Sequence, residues 1–246
     1  MNGGLQNHQI PPKILALDTS SPNVSLALCQ GREVVALIGV TGIAPHSRTL
    51  FRHLNYLLES AETSLEMIDL FAVVTGPGSF TGLRVGISAV KGMARGCGRP
   101  LIGVTAFDAW ASAAGMPGVT AVLLEAGREQ VYFGLRRVAV DGHVQTLGTD
   151  RVIGRQEIIA ELRLSSAVDR LTITGNIDLR TISESTPSLN KSDEDSPAWA
   201  MMPHPSYLAR HAGAVAWRRF NGGEALAAHP YYIKPADAEL MRGGGR

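Results

Sequence analysis

Thr75-Gly76-Pro77-Gly78-Ser79-Phe80-Thr81-Gly82-Leu83-Arg84-Val85-Gly86, residues 75–86, sets the architecture of this chain. Leu70 to Thr75 reads as a buried strand, an apolar run closed by a threonine. Gly76-Pro77-Gly78 then breaks the chain, and Ser79 is a sound N-cap for a helix running to about Gly96. Gly76, Pro77, Gly78 and Ser79 thus form a structural loop between strand and helix, the unit of an α/β protein. The loop is not a P-loop, because GxxxxGK[ST] is absent, and the dinucleotide GxGxxG phase does not fit. Gly82 and Gly86 lie four apart on the helix, followed by Ala89, Gly92 and Gly96. Glycine inside a helix costs about 1 kcal/mol relative to alanine. Several in one helix imply a neighbour close to its backbone, from the same chain or from a partner.

Upstream, Ile14–Leu17, Val24–Cys29 and Glu33–Val40 read as a β-meander, with the polar turn Asp18-Thr19-Ser20-Ser21-Pro22-Asn23 and a turn at Gly31 between them. Ser47–Ser60 has helical spacing of Leu50, Phe51, Leu54, Leu57 and Leu58, with His46 or Ser47 as cap. Downstream, Leu101–Thr105 is a strand and Phe107–Ala114 a helix. The order then partly restarts. Val119–Glu125, Val131–Val140 and Val144–Val152 are strands, with a turn at Gly127 and a hairpin at Asp141-Gly142. Gln156–Leu164 is a short helix and Leu171–Thr174 a strand. Residues 181–205, rich in Ser, Thr, Pro and acids, read as a mobile loop. Tyr207–Asn221 is a helix, Pro230–Lys234 a short strand and Gly243–Gly245 a frayed end. Two β-β-β-α-β-α halves in tandem predict an α/β fold of two ribonuclease-H-like lobes, mixed sheets with flanking helices. The expected division is a polar tail at 1–12, a first lobe at 13–105 joined by helix 206–221, a second lobe at 106–205, and a C-terminal segment at 222–246.

The 246 residues carry a formal net charge of +1, which excludes a protein that coats nucleic acid by bulk charge. Cys29 and Cys97 lie in no CxxC and read as reduced core thiols of a cytoplasmic protein. No apolar h-region opens the chain and no 18-residue apolar run predicts a membrane span. His46 and His53 are seven apart, His204, His211 and His229 are scattered, and no pair has zinc spacing, so no metal site is expected. GxSxG is absent. Asp18, Thr19 and Ser20 form either ordinary turn chemistry or a degenerate phosphate turn.

ILALDTSSPNVSLAL at 14–28, PHSRTLFRHLNYLL at 45–58, VVTGPGSFTGLRVGISAVKGMA at 73–94 and PLIGVTAFDAWA at 100–111 resemble the TsaB (YeaZ) family, and HPYYIKP at 229–235 is a weaker match. The resemblance covers the first lobe almost completely and the second loosely. It implies an actin/hsp70/sugar-kinase-like (ASKHA) fold. It also implies a non-catalytic subunit that pairs with TsaD, joined by the ATPase TsaE, in transfer of threonylcarbamoyl to N6 of adenosine 37 in tRNAs reading ANN codons. ATP would be used by the complex and no cofactor held firmly by this chain. tRNA would be reached through the complex, and the isolated chain would form a homodimer. The metal-binding histidine pair of TsaD is lacking, since Ala44-Pro45-His46-Ser47-Arg48 holds one histidine. The partner surface implied by the resemblance lies on the two first-lobe helices, at Leu50, Leu54, Leu57, Gly82, Gly86, Ala89, Val90 and Met93. Many relatives carry D-A-R-x-x-E-V-Y in the second lobe, where this chain has Glu125-Ala126-Gly127-Arg128-Glu129-Gln130-Val131-Tyr132. The alternative function is an independent kinase or ATPase of the same fold, using the turn at Asp18–Ser21. A peptidase lacks a nucleophile paired to a base.

Overall fold

The computed structural model describes residues 10–41, 46–127, 129–165, 171–177, 199–202, 207–224 and 227–233, without side chains for 46–48. The first sheet holds β1 (Lys13–Asp18), β2 (Asn23–Gln30), β3 (Glu33–Thr41), β4 (Leu70–Val74) and β5 (Leu101–Val104), in the order β3-β2-β1-β4-β5. β1, β2 and β3 are antiparallel neighbours, while β1, β4 and β5 run parallel. The second sheet holds β6 (Gly118–Gly127), β7 (Gln130–Val138), β8 (Val144–Gly154), β9 (Leu171–Gly175) and β10 (Trp199–Met201). Its order, β10-β9-β6-β7-β8, repeats the first plan: an antiparallel meander followed by two parallel strands.

Period-two alternation in β1 sends Leu15 and Leu17 to one face and Ile14 and Ala16 to the other. On the Leu15 face lie α1 (His46–Ser60) and α2 (Phe80–Gly96), which contribute Leu50, Leu54, Leu57, Leu83, Ile87 and Val90 to one core. On the Ile14 face lies α5 (Ala209–Asn221), which packs on α3 (Ala106–Ala114), and α3 in turn packs on the second sheet. One continuous core therefore fills the space between the sheets. α4 (Ile158–Ser165) covers the far face of the second sheet.

Two expectations fail. Within 181–205, Trp199–Met201 forms β10, in register with Leu171–Ile173. Three residues show no legible period, and pairing with the β9 edge supplies their conformation. The rest of that range except Met202 lies outside the described residues, as do 1–9 of the expected tail and the end at 243–245. Pro230–Ile233 forms no strand. Residues 227–233 instead thread as a strap past the first sheet. Ala228 is buried in the α1/α2 core, and the Tyr231 N–H donates to the Thr75 carbonyl at 2.8 Å.

A buried ion network joins the lobes. Arg136 of β7 is 1% exposed. Its Nε donates to Asp108 Oδ1 of α3 at 2.5 Å, and Nη1 and Nη2 donate to the two oxygens of Asp150 of β8 at 2.7 and 2.8 Å. Arg219 of α5 donates to Asp108 Oδ2 at 2.7 Å and to the Gly103 carbonyl of β5 at 3.3 Å. The Tyr231 hydroxyl donates to Asp150 Oδ2 at 3.0 Å. Burial and the Asp150 carboxylate push that phenol up to about 12. Burial alone would raise Asp108, yet the Arg136 and Arg219 guanidiniums hold it below the ordinary carboxylate range. Removing one partner of such a cluster leaves uncompensated buried charge and costs about 3–5 kcal/mol. Arg136→Ala should therefore lower the thermal midpoint by roughly 10 °C in a calorimetric scan. An unchanged midpoint would show that the network carries no net stability.

Candidate functional site between the lobes

Asp18 ends β1, and with Thr19 and Ser20 it forms a buried turn, none of the three more than 5% exposed. The Ser20 N–H donates to Asp18 Oδ1 at 2.8 Å, closing an Asx turn. Thr19 Oγ1 donates to the Gly82 carbonyl of α2 at 2.7 Å, and the Ser79 N–H donates to the Ser20 carbonyl at 2.7 Å. Ser79 Oγ caps α2 by accepting from the Gly82 N–H at 3.2 Å. The glycines explain the closeness of turn and helix. A Cβ on Gly78 would strike the Ser20 carbonyl, one on Gly82 the Thr19 carbonyl, and one on Gly86 the Thr19 hydroxyl. Gly76, which precedes a cis bond to Pro77, has φ +114, a conformation that suits glycine.

A cleft of about 480 Å³ opens between this turn and the second lobe. Asp18, Ser20 and Ser79 line one wall, and Trp110, Glu125 and Asn176 the other. No Lys or Arg lines it. Burial pushes the Asp18 carboxyl up to about 6, against the lowering effect of its bonds to Ser20. Glu125 accepts from Arg155 Nη2 at 2.5 Å and from the Gly127 N–H at 3.1 Å, and Asn176 Oδ1 accepts from the Glu125 N–H at 2.7 Å. The turn's N–H groups at Ser20, Ser79 and Gly82 are bonded inside the protein. A phosphate cradle needs such groups open and a cation beside them. The cleft is acidic on both walls and suits a neutral or amine-bearing group better than a phosphate. Among the described residues no group of three His, Cys, Asp or Glu is placed to hold a metal ion.

The structure sorts the residues expected on a partner surface. Leu50, Leu54, Leu57 and Val90 are at most 2% exposed and belong to the chain's own core. Burying each leucine there contributes roughly 2 kcal/mol, so the sheet claims them. Gly82 and Gly86 are buried against the Asp18–Ser20 turn. These six are corrections to the expected partner surface, and they leave Ala89 and Met93, both half-buried, available on α2. The exposed large apolar residues of α1 are instead Phe51, 54% exposed, and Tyr56, 65% exposed. Asp108, Arg136, Asp150 and Arg219, which join the lobes, carry no motif and escape sequence reasoning. Of the Ala44–Arg48 segment, residues 44–45 lie outside the described residues.

Two repeated mixed sheets with helices between and outside them define a two-lobe protein of the ASKHA class. The ROK hexokinase of Thermus thermophilus shares that fold, with TM-score 0.51 and 12% identity over 85% of this chain and 99% of the hexokinase. The family model described as TsaD, tRNA N6-adenosine threonylcarbamoyltransferase, matches residues 40–178. The Escherichia coli tRNA threonylcarbamoyladenosine biosynthesis protein TsaB is 35% identical over 124 residues, 49% of this chain and 53% of that protein. YeaZ from Pseudomonas aeruginosa superposes with TM-score 0.68 and 25% identity, covering 90% of this chain and 99% of the other. The chain belongs to the TsaD family, in its TsaB (YeaZ) branch. It spans about half the length of the curated relatives it matches.

The contact between turn and helix can be probed at two glycines. A Cβ on Gly92 would meet open space, whereas one on Gly86 would not. Gly92→Ala should stabilise the protein by up to about 1 kcal/mol in urea titrations. Gly86→Ala should destabilise it by about 1–3 kcal/mol, because Thr19 must move. Equal effects would refute the close packing. Asp18 holds its proton in the folded state up to about 6, against 3.8 ordinarily. Its contribution to stability is therefore whole below the lower value and is lost as pH rises through the higher one. Asp18→Asn keeps an oxygen for the Ser20 N–H and should stabilise the protein by about 2–3 kcal/mol at pH 8, with no gain at pH 3. A pH-independent difference would refute that reading.

Proposed function

We propose that this chain serves tRNA threonylcarbamoyladenosine biosynthesis as a non-catalytic subunit that pairs with a TsaD homologue and activates it. The observation that carries the reading is the exposure of two large aromatic side chains on α1. Phe51 and Tyr56 stand more than half exposed, within the stretch that the TsaD family model matches. Apolar aromatics held in water at a helix surface are the usual anchors of protein interfaces. Ala89 and Met93 of α2 are half-buried against the same core. The cleft supports the non-catalytic half of the reading, since Asp18 is bonded into its own turn by Ser20. The TsaE ATPase and tRNA join through the assembly, in the cytoplasm, and a second copy of the chain competes for the same surface when TsaD is absent. No helix among the described residues is long and apolar enough to cross a membrane.

The alternative reading is an independent kinase or ATPase. The interlobe cleft favours it by position, and the bonded amides and lack of a cation weigh against it.

Co-purification with the TsaD homologue of the same organism, read by size-exclusion chromatography with light scattering, separates the two. A one-to-one species is expected. Phe51→Ala and Tyr56→Ala should each weaken it by about 2 kcal/mol, roughly 30-fold, with an unchanged melting temperature. Elution of the chain alone in excess TsaD and TsaE, together with tight magnesium-dependent ATP binding, would establish the kinase or ATPase reading instead.

A further inference from the structure

The interlobe cleft holds a charge that nothing in the fold answers. Three aspartates are buried among the described residues, Asp18, Asp108 and Asp150. Asp108 and Asp150 each meet the Arg136 guanidinium, at 2.5 and 2.7 Å. Asp18, 1% exposed, forms no ion pair with any described Lys, Arg or His. Its Oδ1 instead accepts from the Ser20 N–H at 2.8 Å. That Asx turn requires an oxygen and not a charge, since asparagine closes it equally well. The turn therefore explains the shape of the residue and leaves its carboxylate unexplained. A buried carboxylate without a countercharge is costly, and burial holds its proton up to about 6.

The rest of the lining decides which countercharge fits. The cleft measures about 480 Å³, a size typical of small-molecule sites. One turn brings Asp18, Ser20 and Asn23 to it as oxygen acceptors, and the opposite wall brings the aromatic side chain of Trp110. A carboxylate and an aromatic side chain in one cavity are the combination that recognises organic cations. Pro77 and Leu124 add apolar surface suited to a hydrocarbon body. A bare metal ion would need several hard oxygens, and among the described residues no group of three His, Cys, Asp or Glu is placed to hold one. Glu125, the other titratable residue of the lining, already accepts from Arg155 Nη2 at 2.5 Å, so its charge is answered. The bonds among Arg136, Arg219, Asp108 and Asp150 hold the lobes together, so the cleft is formed before any ligand arrives.

We infer that the interlobe cleft binds a small organic ammonium ion, with Asp18 as its countercharge and Trp110 against its apolar body. The ligand class is an alkyl- or arylalkylammonium, a positive head on a hydrocarbon. A phosphate-bearing ligand fits poorly, because the amides of the turn are bonded within the protein and no Lys or Arg lines the cleft. The inference is independent of pairing with a TsaD homologue, since it rests on the cleft alone.

The test is isothermal titration calorimetry of the full chain with n-butylammonium and phenethylammonium chlorides, each against its neutral counterpart, n-butanol or phenethyl alcohol. At pH 8 each ammonium should bind saturably, and its alcohol at least about tenfold more weakly, the worth of one charge-assisted bond. Both ammonium ions keep their proton throughout the range tested, as lysine does. Asp18 takes up its proton on acidification through about 6, so ammonium affinity should fall about tenfold between pH 8 and pH 5. Asp18→Asn should abolish the preference for ammonium over alcohol. Its melting temperature should be at or above that of wild type, because the amide oxygen still serves the Ser20 N–H. Glu33→Gln, an exposed charge change at the start of β3, should alter affinity less than about twofold. The inference is overturned if neither ammonium binds, if the alcohols bind as tightly, if Asp18→Asn keeps the preference, or if affinity is the same at both pH values. Displacement of the ammonium by magnesium chloride, beyond that of KCl at equal ionic strength, would overturn it in favour of a metal site. Displacement by magnesium ATP would overturn it in favour of the kinase or ATPase reading. The chain is titrated alone, so failure to pair with TsaD would remove the pairing proposal and leave this result unaffected.

Discussion

Two guanidiniums and two carboxylates between the sheets are the constraint that the rest of the molecule accommodates. Arg136, Asp108, Asp150 and Arg219 come from β7, α3, β8 and α5, and together they carry no net charge. Each is nearly dry, so each ion depends on all the others being in place. The surroundings make room for them. A Cβ on Gly134 would come within 2.6 Å of Asp150 Oδ1 and 2.9 Å of the Phe107 ring. The Arg136 guanidinium lies 5.0 Å from that ring's centroid. Because Arg219 also reaches the Gly103 carbonyl, the network fixes the second lobe to the edge of the first sheet. Opening the cleft by a hinge would expose or separate these charges.

The second constraint is the contact between the Asp18–Ser20 turn and α2. Glycine in a helix is a local disadvantage of about 1 kcal/mol, and here Gly82 and Gly86 recover it by admitting the Thr19 backbone and hydroxyl. Gly92 and Gly96 meet nothing, so the same residue type on the same helix has two different meanings. Spacing alone cannot separate them, which is why a partner surface and an internal contact looked alike in the sequence. The internal contact takes the inner glycines. What remains outside includes Phe51 and Tyr56 on α1 and Arg84, Lys91 and Arg95 on α2.

Most of the first lobe was legible because its signals are local. Alternation in β1 and β2, the 3–4 spacing of leucines in α1 and the Ser79 cap each act within a few residues. β10 was illegible because three residues carry no period and take their conformation from β9. The ion network was illegible for another reason. Asp108, Arg136, Asp150 and Arg219 are far apart in the chain, and a lone charge in a strand or helix usually faces water. One signal was present. Arg136 shares the parity of Tyr132 and Val138, both core residues, so an arginine stood in phase with the buried face of β7. The cleft was legible only on its first-lobe wall, since Trp110 and Asn176 enter it through tertiary packing.

The strap at 227–233 and α5 before it bear on the order in which the protein is made. The inner face of the first sheet, formed by the earliest strands, is covered by α5, whose Ala209 N–H donates to Ser25 Oγ at 3.0 Å. The strap then supplies Ala228 to the outer core and the Tyr231 N–H to the Thr75 carbonyl. A ribosome releases the N-terminal strands long before these pieces emerge. The first lobe is thus continuous in space and interrupted in time. Its early strands wait with one apolar face bare until about two hundred residues later in the chain have been synthesised. During that interval the nascent chain presents the kind of surface that chaperones hold.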